Sequence, residues 1–165
     1  MSICKIRPGL YQYTAIDDCS RWQVLAVYPD RSATSTLDFL ERVLEGMPFP
    51  VQRVQTDRGG EFFAHEVQGR LRERRIKFRP NRPRAPHLNG KVERVQRTAL
   101  EEFWPTVDPT EPDLAVRLEE WRTFYNHHRP HGALGGGTPA DFAAFMNAER
   151  GRWGGVVREA GIKPE

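Results

Sequence analysis

Two short stretches each deliver one acidic side chain in a setting suited to chemistry. The first is Val54-Gln55-Thr56-Asp57-Arg58-Gly59-Gly60-Glu61-Phe62, in which Asp57 follows a run with strand character and precedes a Gly-rich turn. The second is Pro86-His87-Leu88-Asn89-Gly90-Lys91-Val92-Glu93-Arg94, in which Glu93 sits about one turn into a helix punctuated by Asn89-Gly90. Hard divalent cations need convergent oxygens carried on rigid elements, and a carboxylate at a strand end facing one on a helix meets that need. Taken singly, each acid is ordinary. Asp-x-Gly is usually a turn, because Gly supplies the positive φ and Asp accepts a local hydrogen bond, and a lone helical Glu is usually solvated. Their 35-residue separation and their flanks are what make the pair informative.

Charge is distributed unevenly around these acids. The net charge is +3, yet residues 51–100 carry thirteen Lys/Arg against five Asp/Glu, and residues 101–120 carry one Arg against seven acids. A basic block beside a carboxylate pair is the electrostatic footprint of a nucleic-acid site. The 165 residues suit one domain with one substantial core. No apolar run approaches a membrane span, and the N-terminus shows no signal-peptide pattern. Cys4 and Cys19 form no CxxC pair and read as reduced thiols of a cytosolic protein, with neither a disulfide scaffold nor a zinc site.

The elements that must position the acids follow from periodicity. Ser2 to Ile6, Leu10 to Ile16 and Trp22 to Tyr28 are predicted strands, the first broken by Arg7-Pro8-Gly9 and the last two an antiparallel pair around Asp17-Asp18-Cys19-Ser20-Arg21. Ser32 or Thr34 caps a helix whose stripe is Leu37, Leu40, Leu44 and Met47. Val51 to Thr56 returns as a strand after a crossover long enough for parallel pairing. His65 to Arg74 is a helix buried through Val67 and Leu71, Ile76 to Phe78 a short strand, and Arg79 to His87 a loop. The Glu93 helix spans Gly90 to Phe103, turning Val92, Ala99 and Phe103 to the core, with Glu93 and Arg97 sharing another face. A further helix starts at Thr110 with Pro112 and buries Leu114, Leu118, Trp121 and Tyr125. Gly135 to Gly137 is flexible, Thr138-Pro139 starts a short helix, and Gly151 to Glu165 is frayed. The pattern alone supports an α/β domain with its topology open.

Thr-Asp-x-Gly-x-Glu-Phe, 35 residues between the acids and Asn-Gly-Lys-Val-Glu-Arg together resemble the catalytic core of retroviral-integrase-type transposases, insertion-sequence enzymes with an Asp-Asp-Glu triad. The resemblance runs from about Ile3 to Phe142 and includes Ile16-Asp17-Asp18-Cys19-Ser20-Arg21 and Tyr125-Asn126-His127-His128-Arg129-Pro130-His131. It implies a ribonuclease-H-like fold, a mixed five-stranded sheet with helices on both faces. It divides the chain into an integrase-type core over residues 1–145 and a C-terminal tail over 146–165. The implied activity is transposition by phosphoryl transfer on duplex DNA, at transposon ends and target. Two Mg²⁺ or Mn²⁺ ions, about 3.5–4 Å apart, clamp the attacking and leaving oxygens. The implied assembly is a homo-oligomer, a dimer foremost, in a bacterial-type cytoplasm with chromosomal DNA.

Carried over position by position, Asp57 is the second acid and Glu93 the third, both metal ligands. The first acid belongs on the first strand, and its position is Ser2, in Met1-Ser2-Ile3-Cys4-Lys5-Ile6. A neutral hydroxyl is a weaker ligand than a carboxylate, so the resemblance implies impaired or absent activity. Asp17 and Asp18, the nearest other acids, match the family's turn motif instead. The alternative is a catalytically inactive DNA-binding or assembly domain derived from a transposase. A ribonuclease-H-like nuclease with another substrate fits the Glu93 motif poorly. Arg82, Arg84, Lys91, Arg94 and Arg97 are the DNA-contact candidates, and for Arg97 the competing partner is Glu93 or Glu101. His87 is a loop histidine near the site. His127, His128 and His131 belong to the Tyr-Asn-x-x-Arg-Pro-His motif, with no cysteines to complete a zinc site.

Overall fold

Aromatic and β-branched runs set the first three strands. In the computed structural model, which describes residues 1–82 and 89–161, β1 (Ser2–Arg7), β2 (Leu10–Ile16) and β3 (Gln23–Tyr28) form an antiparallel meander. Gly9 turns the first corner at φ +74°, a region closed to most side chains. At the second corner Asp17 Oδ2 accepts from the Cys19 and Ser20 amides and the Ser20 hydroxyl, at 3.0, 2.7 and 2.9 Å. Asp17 is thereby a turn residue.

Helix α1 (Ala33–Gly46) is capped by Ser32, whose Oγ accepts from the Ser35 amide at 3.1 Å. Its deepest side chains include Phe39, Leu40 and Val43; Leu37 and Leu44 lie at the margin, so the buried stripe is rotated from the expected one. Phe39 and Val43 pack on Tyr13, Ala15, Val24 and Ala26 of the meander. Leu40 joins a second cluster with Val54, Val67, Leu71 and Ile76. That cluster buries one side of β4 (Arg53–Thr56) and β5 (Lys77–Pro80), which pair in parallel through α2 (His65–Glu73). Strand β5 thus extends to Pro80, two residues into the expected loop, because Thr56 and Pro80 still face each other in register. Arg84 and His87 lie outside the described residues.

On the opposite face, α3 (Gly90–Glu102) and α4 (Leu114–His127) bring Ala99, Leu114 and Leu118, with Phe103 and Trp104 between the helices, against Leu10 and Leu25. Helix α4 begins at Leu114 rather than Thr110, because Asp108 Oδ1 draws the Thr110 amide and hydroxyl into a turn at 2.8 and 2.7 Å. Helix α5 (Pro139–Glu159) is 21 residues long, launched by a reciprocal Thr138–Asp141 capping box. It passes residue 146 unbroken and carries helix through Gly151, where fraying was expected.

The sheet is mixed with helices on both faces, but the described strands form two ladders, β1-β2-β3 and β4-β5, rather than one of five. At the seam the Met1 amino group donates to the Gln55 carbonyl at 2.5 Å. Strand β1 therefore draws level only with the end of β4, an overlap too short for a ladder. No described helix is long and apolar enough to cross a membrane.

Candidate nucleic-acid active site

Asp57 is held where β4 ends. Val54 and Thr56 are buried behind it, and its two carboxylate oxygens have different duties. Oδ1 accepts from the Gly59 amide at 3.1 Å, which is the local turn bond expected of Asp-x-Gly. Oδ2 faces β1 and accepts from the Ser2 hydroxyl at 3.1 Å. Ser2 is only 6% exposed. Ser2 and Asp57, 55 positions apart in sequence, therefore touch across the β1–β4 seam.

The turn after Asp57 is braced by a residue to which the sequence reading assigned no role. Glu61 folds back over Gly59, where any Cβ would come within 2.4 Å of its Oε1. The same carboxylate receives Arg31 at 2.7 Å, with the Glu61 side chain 7% exposed. A side chain at Gly59 would have to displace the Glu61 carboxylate, while the glycine's own φ of −59° makes no special demand.

Glu93 stands in the first turn of α3, exposed, with Val92 and Val95 beside it turned inward. A side-chain relay fastens the start of that helix to β4. The Asn81 amide donates to the Thr56 carbonyl at 2.9 Å. Asn81 Oδ1 accepts from Gln55 Nε2 at 2.7 Å, and its Nδ2 donates to Asn89 Oδ1 at 2.5 Å. Asn89 precedes the helix but does not cap it with its side chain; its oxygen instead accepts from Asn81. Asn81 is 7% exposed, and a buried amide bonded at both its oxygen and its nitrogen is a strong positional constraint. In the sequence it was one polar residue among prolines and arginines. Lys91 Nζ adds a second tie, donating to the Asp18 carbonyl at 2.9 Å and lying 3.6 Å from its carboxylate.

The DNA-contact candidates divide accordingly. Lys91 already has an anionic partner in Asp18. Arg82, Arg94 and Arg97 are exposed and form no ion pair among the described residues, so the Arg97 bridge to Glu93 or Glu101 is not made there.

Asn126 and His131 of the histidine motif are scaffolding, while His127 and His128 lie exposed. Asn126 is fully buried; its Oδ1 accepts from the Gln23 amide and its Nδ2 donates to the Gln23 carbonyl, both at 2.9 Å, locking α4 to β3. His127 meets the edge of Trp22, His128 stacks on Phe124, and His131 packs on Tyr125 with ring centroids 4.6 Å apart. Burial pushes the His131 imidazolium pKa below the ordinary value. Burial also raises the Cys4 thiol to about 11, while Cys19 is exposed.

Among the described residues no group of three or more His, Cys, Asp or Glu side chains is arranged to hold a metal ion. Ser2 and Asp57 offer one hydroxyl and one carboxylate at the seam.

Two family models, both described as Integrase core domain, match residues 1–86 and 74–139. An insertion element IS476 uncharacterized 39.2 kDa protein of Xanthomonas euvesicatoria is 29% identical over 142 residues, covering 83% of this chain and 40% of that protein. A putative integrase ORF3 of Spiroplasma virus SpV1-C74 is 24% identical over 149 residues, covering 80% of this chain and 41% of that one. The chain thus spans about two fifths of these curated relatives. Among solved structures, the catalytic core domain of BIV integrase superposes with a TM-score of 0.69 at 18% identity, over 92% of this chain and 96% of that one. A chain of the simian T-cell lymphotropic virus intasome, in complex with a PP2A regulatory subunit, superposes with a TM-score of 0.70 at 18% identity, over 81% and 48%. The fold is that of retroviral integrase cores.

Proposed function

This chain belongs to the integrase core domain family, and from that premise we propose that it is a DNA strand-transfer core whose carboxylate set is one short. The observation carrying the proposal is the 3.1 Å bond from the Ser2 hydroxyl to Asp57. It supports reading Ser2 as the first-acid position, Asp57 as the second acid and Glu93 as the third. The relay Gln55–Asn81–Asn89 supports the same reading, since it ties the end of one acid's strand to the start of the other acid's helix.

Two carboxylates and a neutral hydroxyl do not fit a pair of dications such as Mg²⁺ or Mn²⁺. Two negative charges face four positive ones, and hard cations bind neutral hydroxyls weakly. The residues present still bind and orient. Asp57 is presented on a braced turn, Glu93 on a pinned helix, and the exposed Arg82, Arg94 and Arg97 supply phosphate contacts on duplex DNA, with Arg84 a further candidate. Assembly as a homo-oligomer, a dimer foremost, belongs to the same proposal.

Ser2→Asp tests it. Isothermal titration of Mn²⁺ is expected to show binding at least tenfold tighter in the variant. Its melting temperature is expected to drop in chelator, where two carboxylates then face each other, and to recover with Mn²⁺. Equal metal affinity in both proteins would remove Ser2 from the acid set. A second reading, a catalytically inactive DNA-binding or assembly domain, is favoured by the same bond, because the hydroxyl satisfies Asp57 with no cation. Tight metal binding by Ser2→Asp without any strand transfer on branched DNA would select it.

A further inference from the structure

Among the basic residues of 70–79, Arg70 and Arg74 are neutralised, whereas Lys77 and Arg79 are not, among the described residues. Arg70 and Arg74 turn toward α1, where Glu41 receives them at 2.6 and 3.5 Å, and Glu73 adds a second contact to Arg70. Lys77 and Arg79 point to the opposite side of β5, because Phe78 between them packs into the α1–α2 cluster. On β4, Arg53 shares their side, Val54 being buried in that same cluster. Arg53 and Lys77 are direct register partners in the parallel ladder, and Gln55 opposes Arg79. Like charges placed opposite each other on one sheet face are destabilising. All three cations are exposed, and none forms an ion pair among the described residues.

They line a groove of about 1210 Å³ that also reaches Asp17, Asp18 and Glu149. Those acids are spent elsewhere. Asp17 holds its own turn, Asp18 holds Lys91, and Glu149 holds Arg152 at 2.7 Å. The groove is therefore left with uncompensated positive charge, and its cations, Arg53 on β4 and Lys77 and Arg79 on β5, lie on the parallel pair whose β4 strand leads to Asp57, four residues beyond Arg53.

We propose that Arg53, Lys77 and Arg79 form a phosphate track on the open face of β4–β5 that leads one strand of duplex DNA to Asp57. Lys77 and Arg79 stand about 6.6 Å apart, two strand rises of about 3.3 Å, comparable with the spacing of successive phosphates. Backbone contacts of this kind position a duplex without reading its sequence. The track rests on the reading of the chain as a DNA strand-transfer core and extends its DNA path beyond the Arg82–Arg97 candidates.

The test compares a variant that removes the unpaired cations of the track with one that removes cations already held by Glu41. Arg53→Gln/Lys77→Gln/Arg79→Gln empties the track, and Arg70→Gln/Arg74→Gln removes paired cations. Fluorescence anisotropy with a short mixed-sequence duplex, over about 50–200 mM salt, gives the slope of log K against log salt. Each lost phosphate contact lowers that slope by about 0.9, so the triple variant is expected to lose about 2–3 and the double variant close to none. The charge-keeping Arg53→Lys/Arg79→Lys is expected to retain the parental slope, which separates charge from misfolding. Equal loss in both Gln variants, or none in the triple, overturns the track. So does a triple variant that loses self-association with DNA affinity intact, which would assign the face to an acidic surface of a second copy. Mn²⁺ titration of Ser2→Asp without DNA is independent of these outcomes, so failure of the acid set and failure of the track are distinguishable.

Discussion

The two most conspicuous motifs of this chain, Asn89–Arg97 and Tyr125–His131, look alike on paper and do opposite work. Each mixes Asn with ionisable side chains on or beside a helix. In the second, Asn126 uses both ends of its amide on the Gln23 backbone and the buried His131 packs on Tyr125, while the exposed His127 and His128 rest against Trp22 and Phe124. In the first, Asn89 is likewise consumed by Asn81, but Glu93, Arg94 and Arg97 remain exposed and without ion pairs among the described residues. Polar groups whose bonds close internally hold the fold. Polar groups that the fold presents and leaves open are the ones available to a ligand.

The largest effect that would break this contrast is at Asn126. Replacing it by Ala strands a buried amide and a buried carbonyl of Gln23, at a cost of about 2–4 kcal/mol. Glu93→Ala, by contrast, is expected to stay within about 0.5 kcal/mol. Urea denaturation of both variants measures the difference, and comparable losses would erase the distinction between scaffold and site.

A smaller effect sharpens it at Asn81, where the two kinds of residue meet. Asn81→Ala is expected to cost about 1–3 kcal/mol and, in the Ser2→Asp background, to weaken Mn²⁺ binding by releasing α3 from β4. Full metal affinity with lowered stability would show that the relay supports the fold alone and does not position Glu93.

The smallest is a pH effect at His131. Its folded pKa is depressed by burial, opposed by its bond to the Tyr125 carbonyl and by Glu102, and assisted by Arg129 and Arg21. A histidine held neutral in the native state contributes stability that is present above its unfolded pKa, near 6.5. That contribution is lost as pH falls through the depressed value. Thermal melts of the parent are therefore expected to fall more steeply below about pH 6.5 than those of His131→Phe. Parallel curves would place the acid sensitivity elsewhere.

Much of this protein was legible before any fold was drawn. Gly9 in a breaking tripeptide, the Asp17 turn, the Ser32 cap and the inward Val92, Ala99 and Phe103 all follow from local sterics and periodicity. The misplacements were local too. The stripe of α1 rotates because it serves two clusters at once, and α4 starts late because Asp108 captures Thr110.

Sequence by itself determined most elements and the family motifs, because backbone propensities and side-chain spacing act over a few residues. Only the tertiary structure decided which polar groups meet. The Ser2–Asp57 bond spans 55 positions, the Gln55–Asn81 bond 26 and the Asn126–Gln23 pair 103. Such contacts depend on strand order and helix placement, to which no local propensity is sensitive. The same holds for the cations: Arg53, Lys77 and Arg79 look no different in sequence from Arg70 and Arg74. Helix α2 and its end bring one set to Glu41, and the pleat of β4–β5 leaves the other facing an open groove without an acidic partner among the described residues.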